Sequence, residues 1–309
     1  MELQLLDRFP GISCAYRDAA GKEATECYGV ADKESNIPVD ENTVFPACSI
    51  SKFVTAICVM KLHEQKMLDI DEPVNAYLHQ WKLLTLDGSE SDATIRALLC
   101  HTAGTVDGED SFYGLCQADS KVSLMDVLEG RASYNNRPVR AEKVQGTEFE
   151  YSDAGYCVLQ LLMQEVMHKP FEDVVRKEIF DKLCLRNTFF TASIPDLAAS
   201  GLWCTPKELL SIGKEFVAAL HGGSDFLQEK SAQEMAKPVD KFPWTGLGLF
   251  ISGKDMLLTQ GWGECGQCMM KMNCRTGEIS VVMTNQNPEV DQTESGVEWL
   301  VNSKLSEMK

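Results

Sequence analysis

The stretch TVFPACSISKFVTA, residues 43–56, decides how the rest of the chain is interpreted. Most residues from Phe53 to Leu62 are apolar, and this pattern leaves little polar face on a helix. The sequence therefore predicts a helix from Cys48 to Met67 that is buried in the interior. Ser49 and Lys52 stand at its beginning, three residues apart.

Ser49 and Lys52 have the residue types and the spacing of a nucleophile and its base. Residues three apart on a helix are neighbours, so the Lys52 amine can reach the Ser49 oxygen. Burial in an apolar helix lowers the pKa of a lysine, and a neutral lysine is a competent base. The helix N-terminus also offers unpaired backbone N–H groups that can hold an oxyanion.

The pattern Ser-x-x-Lys by itself has little weight, because both residue types are common. It occurs again at Ser211 and Lys214, inside the predicted helix TPKELLSIGKEFVAALHGG. Thr205 and Pro206 predict that this helix begins well before Ser211, so no helix N-terminus is available there to bind an oxyanion. We interpret the second copy as structural.

Strand patterns lie at both ends of the chain, and helical patterns lie between them. Residues 11–32 predict a hairpin, and the short apolar runs after Pro238 predict further strands. This order predicts an α+β fold with an antiparallel sheet built from both chain ends, residues 1–60 and 236–309. A mainly helical region, 61–235, is inserted, and the cleft between the two regions contains Ser49. Within that region, the polar residues 105–146 predict a long excursion beside the cleft.

The charge balance argues against several partners. The 309 residues include 29 basic and 46 acidic side chains, a formal net charge of −17, which would repel nucleic acid and anionic membranes. The opening residues MELQLLDRFPGIS lack the pattern of an export signal, and no long apolar run predicts a membrane span. We expect a cytoplasmic protein that binds no membrane; the sequence does not indicate its oligomeric state.

Seven stretches in one order connect the chain to a known group of enzymes. They are TVFPACSISKFVTA, QKMLDIDEPVNAYL, IRALLCHTAG, GTEFEYSDAGYCVLQ, IFDKLCLRNT, ASGLWCTPKELL and GLGL. Together they resemble the class C β-lactamases, the D,D-peptidases and the family-eight carboxylesterases. The resemblance implies a β-lactamase/transpeptidase-like fold and acyl transfer through an ester on Ser49, with no cofactor and no metal.

The resemblance also implies a second site motif, Tyr-x-Asn, whose tyrosine faces the nucleophile. The matching residues here are Tyr151, Ser152 and Asp153. We expect Tyr151 to share a proton network with Lys52, and either of the two could be the base. Asp153 departs from the family, because a carboxylate cannot donate a hydrogen bond to a substrate carbonyl as asparagine does.

The third family motif is Lys-Thr-Gly or His-x-Gly on a strand that lines the cleft, and two stretches compete for this place. Residues 275–277, Arg-Thr-Gly, resemble it chemically but lie where a hairpin turn is expected. We favour the GWGE stretch, 261–264, with Trp262 in place of the basic residue. The second oxyanion N–H would then come from Glu264 or Cys265.

These departures predict the class of substrate. The basic residue of the third motif normally holds the carboxylate of a penicillin or a D-alanyl peptide, whereas Trp262 and Gly263 offer mainly apolar area. With Asp153 and Glu264 nearby, the cleft would repel an anion. We therefore expect a small neutral ester, lactone or amide. The alternatives are a β-lactamase or D,D-carboxypeptidase, and a catalytically weak binding or sensing module.

Two other residue types need an interpretation. Cys265, Cys268 and Cys274 could hold a metal or form a redox disulfide, but no fourth ligand is spaced nearby, so we expect a strand edge that happens to contain cysteine. His101 matches a structural position of the family. A Ser-His-Asp arrangement that uses it is the less favoured alternative.

Overall fold

A seven-stranded sheet is built from both ends of the chain. The computed structural model describes residues 7–32, 34–109, 111–113, 122–191 and 197–306. The strands are β1 (Gly11–Arg17), β2 (Glu23–Asp32), β3 (Ile37–Pro38), β4 (Phe45–Pro46), β5 (Leu84–Thr85), β6 (Arg140–Ala141), β7 (Phe189–Phe190), β8 (Leu202–Cys204), β9 (Phe250–Ile251), β10 (Met256–Gly263), β11 (Gly266–Asn273) and β12 (Ile279–Thr284). The large sheet has the order β3-β2-β1-β12-β11-β10-β9, and each of these neighbours pairs antiparallel.

The neighbouring strands β11 and β12 are buried along their whole length. Helices cover both faces of the sheet. The helices are α1 (Ser51–Glu64), α2 (Ile95–Leu99), α3 (Leu124–Leu128), α4 (Asp153–Met167), α5 (Phe171–Val175), α6 (Leu197–Ser200), α7 (Pro206–Ala219), α8 (Glu229–Met235), α9 (Gln292–Ser295) and α10 (Val297–Ser303). Helix α10 packs on one face, where Leu300 shares a core with Met269 and Val282. Helix α7 packs on the other, where Gly213 lies against Met270.

The predicted interior helix is confirmed, although it is shorter than predicted. Residues 48–50 form a 3-10 turn, and α1 then runs from Ser51 to Glu64, with every side chain from Ser51 to Leu62 buried. Phe53 of α1 meets Phe216 of α7 edge to face, with ring centroids 5.1 Å apart. The helix stops early because Lys66, at φ 59°, leaves the helical region of backbone space.

The second Ser-x-x-Lys copy lies inside α7, as predicted. The Thr205 side chain accepts a hydrogen bond from the Glu208 N–H at the start of the helix, and Pro206 is its first residue. The Ser211 hydroxyl donates to the Lys207 carbonyl one turn earlier in the same helix. Its oxygen is therefore used locally.

The α+β class and the assembly of the sheet from both chain ends are confirmed. Parts of the 105–146 excursion, and the first six residues, lie outside the described residues. Beyond residue 121 the excursion contains α3, which begins with a capping box formed by Ser123 and Asp126. Over the described ranges, we find no helix with both the length and the apolarity needed to cross a bilayer.

Candidate active site

Ser49 sits in the 3-10 turn that joins β4 to α1. The residue before it, Cys48, is buried and has a φ of 46°, a backbone conformation that residues other than glycine rarely adopt. Several hydrogen bonds fix this backbone: the Ala47 N–H donates to the Leu202 carbonyl over 2.8 Å, and the Ser51 hydroxyl donates to the Cys48 carbonyl over 2.6 Å. The turn that presents Ser49 is therefore held by the neighbouring strand β8.

Lys52 lies one turn after Ser49 and is only 2% exposed. Its Nζ donates to Ser49 Oγ over 3.2 Å and to the Ala199 carbonyl over 2.9 Å. The same nitrogen lies 2.5 Å from Asp153 Oδ1, and both side chains of this ion pair are largely buried. Oxygen atoms of Ser49, Ala199 and Asp153 thus lie within 3.2 Å of the Lys52 nitrogen.

The expectation of a lowered Lys52 pKa was wrong. Burial does lower the pKa of Lys52, but the charges of Asp153 and Tyr151 and the hydrogen bonds to them raise it, and the result lies above its ordinary value of 10.5. The residue that reverses the direction is Asp153, about one hundred positions away in the chain. Lys52 is consequently held as an ammonium group.

The Tyr151 hydroxyl completes the group around the nucleophile. It hydrogen-bonds with the Ser49 side chain and accepts a hydrogen bond from Lys52. The Lys52 nitrogen also lies 4.9 Å from the centroid of the Tyr151 ring. Burial raises the pKa of Tyr151 and the charge of Lys52 lowers it. The resulting pKa lies above the ordinary value of 10.0. The tyrosine is therefore neutral in the free protein.

Asp153 is positioned by a second carboxylate, Asp107. The Asp107 carboxylate accepts hydrogen bonds from the Asp153 N–H (2.7 Å), the Ala154 N–H (3.1 Å) and the Ser152 hydroxyl (2.8 Å). These donors belong to the N-terminus of α4, where an acidic group is favourable. Burial and the charge of Asp153 raise the pKa of Asp107 to about 6.

His101 has a packing role behind the tyrosine. Its Nδ1 accepts a hydrogen bond from the Ser152 N–H over 3.1 Å, and its ring lies 4.4 Å from the Tyr151 ring, centroid to centroid. Burial and the charge of Lys52 hold the pKa of His101 well below 6.5, so the ring is neutral. The residues around it form no Ser-His-Asp arrangement in the part of the chain that the structure describes.

Strand β10 passes close to the nucleophile turn. A Cβ atom on Gly261 would stand 2.4 Å from the Ala47 carbonyl oxygen and 2.9 Å from Cys48 Cβ, and one on Gly263 would stand 3.0 Å from Cys48 Sγ. Both glycines therefore face the turn. Alternation along the strand places the Trp262 side chain on the other face, where it is 54% exposed. The two β10 positions beside the turn, Gly261 and Gly263, thus have no side chain, and Trp262 lies on the opposite face of the strand.

Residues 275–277 lie far from this site. They form the turn between β11 and β12, as expected, and the Arg17 guanidinium donates to the Gly277 carbonyl. Since Gly266, at the other end of β11, pairs with Gly263, the length of the strand puts roughly 25 Å between the turn and the site.

Comparison with known proteins gives the family of the chain. The model of the family described as Beta-lactamase matches residues 2–301. The chain belongs to the Beta-lactamase family.

Two curated relatives illustrate the range of the family. The esterase EstB of Burkholderia gladioli is 25% identical over 235 residues, which are 74% of this chain and 59% of EstB. A protein named Beta-lactamase from Providencia stuartii is 27% identical over 183 residues, which are 59% of this chain and 43% of the relative. The chain thus spans about half the length of these relatives.

A solved structure shows the same fold. The octameric penicillin-binding protein homologue from Pyrococcus abyssi superposes with a TM-score of 0.81 at 17% identity, over 97% of this chain and 75% of the other. At this identity the likeness concerns the fold alone, which is β-lactamase/transpeptidase-like.

Cys265 lies between β10 and β11, Cys268 lies within β11, and Cys274 follows β11 directly. Cys268 and Cys274 are free thiols, whereas Cys265 is disulfide-bonded, so the pair in CGQC is not joined to itself. Among the described residues, no group of three or more His, Cys, Asp or Glu side chains could hold a metal ion.

Sequence reasoning missed Asp107, the residue that most directly fixes Asp153. Its sequence context, HTAGTVDGED, indicates only a polar segment. Ser152 ahead of α4 marks a helix N-terminus, but the sequence does not show which distant carboxylate meets it. Only the tertiary structure brings the two together.

Proposed function

We propose that this chain is a serine hydrolase that forms an acyl-enzyme on Ser49 and acts on a small neutral ester. The observation that supports this most strongly is the hydrogen-bonded group of Ser49, Lys52 and Tyr151 at the start of α1. The family to which the chain belongs, and the esterase among its relatives, agree with it.

The reaction that we propose has two acyl-transfer steps. Ser49 Oγ attacks the carbonyl carbon. Within the network of Tyr151, Lys52 and Asp153, the Ser49 proton passes to Lys52 as the Lys52 ammonium gives one of its own protons to the Asp153 carboxylate, which then holds the added proton. The network returns a proton to the leaving oxygen as the carbon–oxygen bond breaks, which releases an alcohol and leaves the acyl group on Ser49. Water then attacks the ester, gives its proton to the same network, and the acid leaves as Ser49 recovers its proton.

Backbone groups stabilise the oxyanion in this proposal. The start of α1 supplies N–H groups beside Ser49. Because Gly263 faces the nucleophile turn, the N–H of the next residue, Glu264, is better placed than that of Cys265 to be the second donor. The absence of a side chain at Gly261 and Gly263 lets β10 lie close to the turn that contains Ser49, which brings the backbone of β10 near the oxyanion.

A neutral substrate fits the charges of the site. Lys52 is the cation nearest to Ser49 on α1, and Asp153 already neutralises it at 2.5 Å. The two β10 positions that face the Ser49 turn, Gly261 and Gly263, offer no cation to bind a carboxylate. An ester, a lactone or an amide without a negative charge therefore fits better than a penicillin or a D-alanyl peptide.

Covalent labelling tests the proposal. The protein is incubated with a fluorophosphonate and, separately, with a labelled penicillin, and the adducts are located by mass spectrometry. We expect the fluorophosphonate on Ser49, no adduct in Ser49→Ala, and normal labelling in Ser211→Ala, which removes the serine of the other Ser-x-x-Lys copy. A lack of adduct on Ser49 with either reagent would contradict the enzyme proposal. A rapidly decaying penicillin adduct would instead indicate a β-lactamase.

A further inference from the structure

Five aromatic rings form a continuous surface that begins at the nucleophile. We call this surface the aromatic wall; its members are Phe149, Tyr151, Phe242, Trp244 and Phe250. Tyr151 stacks on Phe250 with ring centroids 6.3 Å apart, and Phe250 lies 6.5 Å from Phe149. Phe149 lies 6.0 Å from Trp244, which lies 5.6 Å from Phe242. The rings therefore lead from the Tyr151 hydroxyl outward to Trp244.

The backbone holds the outer part of the wall in place. The Thr245 N–H donates to the Phe242 carbonyl over 3.1 Å, and the Ile251 N–H donates to the Trp244 carbonyl over 2.8 Å. Phe250 belongs to β9 and pairs with Leu258 of β10, the strand that passes Ser49. The wall is consequently a preformed part of the cleft border.

Part of the apolar surface of the aromatic wall is exposed to solvent. Trp244 is 48% exposed and Tyr151 is 41% exposed, while the other three rings are half-buried. Contiguous apolar surface of this kind on a soluble domain marks a binding site more often than scattered single residues do. Its continuity with Ser49 through Tyr151 identifies the occupant as part of the substrate.

The charges beside the wall indicate a neutral occupant. Lys143 is paired with Glu148 and Glu150, and Lys241 donates to the Gly146 carbonyl over 3.0 Å. These two lysines, on the segments that bear the wall, are therefore already engaged. The rings offer apolar faces that bind alkyl or aryl groups.

Resting on the proposed function, we infer that the aromatic wall binds the alcohol part of the ester, and that this alcohol is a medium-length alkyl or an aryl alcohol. Tyr151 belongs to the network that protonates the leaving oxygen, so that oxygen must stand beside the Tyr151 hydroxyl. The group attached to it then continues along the rings toward Trp244. The acyl group extends from the carbonyl carbon away from the wall.

Two ester series test this assignment by titration of the released acid. The first compares ethyl acetate with hexyl acetate, which lengthens only the alcohol; the second compares ethyl acetate with ethyl hexanoate, which lengthens only the acyl group. For the wild type we expect kcat/KM to be about tenfold higher for hexyl than for ethyl acetate, since one-sided contact recovers part of the transfer free energy of four methylenes.

The variants are Trp244→Ala, Trp244→Phe and the control Trp299→Ala, which changes a 38% exposed tryptophan on α10, on the other side of the sheet. Trp244→Ala should reduce the hexyl-to-ethyl ratio to about two, because the apolar contact at the outer end of the wall is lost. Trp244→Phe should keep most of the preference for hexyl acetate. This variant keeps an aromatic ring at the position, so it tests the wall even if the alanine variant misfolds. Trp299→Ala should behave as the wild type.

Other outcomes would overturn the inference. An unchanged hexyl-to-ethyl ratio in Trp244→Ala, or a loss confined to the acyl series, would show that the alcohol does not bind the wall, although Ser49 is still labelled and ethyl acetate is still hydrolysed. Failure of wild-type Ser49 to react with a fluorophosphonate, together with no hydrolysis of any ester, would reject the proposed function itself and the inference with it.

Discussion

Replacing Asp153 by asparagine, the residue usual in the family, gives the sharpest test of the site. The change keeps the shape of the side chain and removes the charge that faces Lys52. At the observed separation of 2.5 Å, two unit charges interact by about 7 kcal/mol at an effective dielectric constant near 20. Desolvation of the pair offsets much of this, and removal of one partner of a buried ion pair costs roughly 3 to 5 kcal/mol. Because asparagine can still accept a hydrogen bond from Lys52, we expect the free energy of unfolding to fall by about 2 to 3 kcal/mol.

The same substitution should change the pH dependence of the nucleophile. In the wild type the pKa of Lys52 lies above its ordinary value, so the ammonium persists across the assay range. Without Asp153, burial is the dominant influence and lowers the pKa of Lys52. Labelling of Ser49 by a fluorophosphonate should then be about tenfold faster at pH 9 than at pH 7 in Asp153→Asn, compared with less than about threefold in the wild type, because a neutral lysine is a general base.

A matched control is Asp255→Asn, which makes the same chemical change in an exposed pair. Asp255 lies 3.3 Å from Arg275, and both side chains are a third or more exposed. Such pairs contribute no more than about 1 kcal/mol. Asp255→Asn should keep the wild-type pH profile and a free energy of unfolding in urea within about 1 kcal/mol of the wild type. The same result for Asp153→Asn would refute the reasoning.

Three further predictions concern the rest of the site. Tyr151→Phe should lower kcat/KM for an ester by about 10² to 10⁴, because it removes the Tyr151 hydroxyl from the proton network, and it should change the free energy of unfolding in urea little. Unaltered kinetics would exclude a role of this hydroxyl in proton transfer. Gly261→Ala should abolish Ser49 labelling and destabilise the fold by about 2 kcal/mol, because its Cβ would stand 2.4 Å from the Ala47 carbonyl; labelling at the wild-type rate would show that β10 is not so close. Asp107 has a pKa raised from 3.8 to about 6, so the wild type should lose stability, relative to Asp107→Asn, as the pH rises from about 4 to about 6. A stability difference that stays constant over this pH range, in urea denaturation, would contradict the raised pKa.

The fold was predictable because its signals are local. The apolar residues of α1, the hairpin of β1 and β2, and the apolar runs of β10 to β12 each follow from a short sequence pattern. The resemblance in seven stretches then identified the family. The contact between Ser49 and Lys52 was predictable for the same reason, since three residues on a helix span less than one turn.

The face of the sheet on which a strand residue lies could not be predicted from a short sequence pattern. The sequence suggested Trp262 for the place of the basic residue but did not give the face on which it lies, because a shift of one position in strand register exchanges the two faces. Close approach of the Ser49 turn admits only residues without a Cβ, so Gly261 and Gly263 face inward and Trp262 faces outward. The pairing of β10 with β11 fixes this register.

By itself, the sequence determined the α+β class and indicated that Ser49, Lys52 and Tyr151 lie together. Only the tertiary structure decided the charge state of Lys52, the partner of Asp153 and the place of the aromatic wall. The physical reason is that electrostatic and desolvation effects depend on which groups meet in space. The groups that meet at Ser49 come from α1, the N-terminus of α4 and the loop that contains Asp107, and no pattern of short range links them.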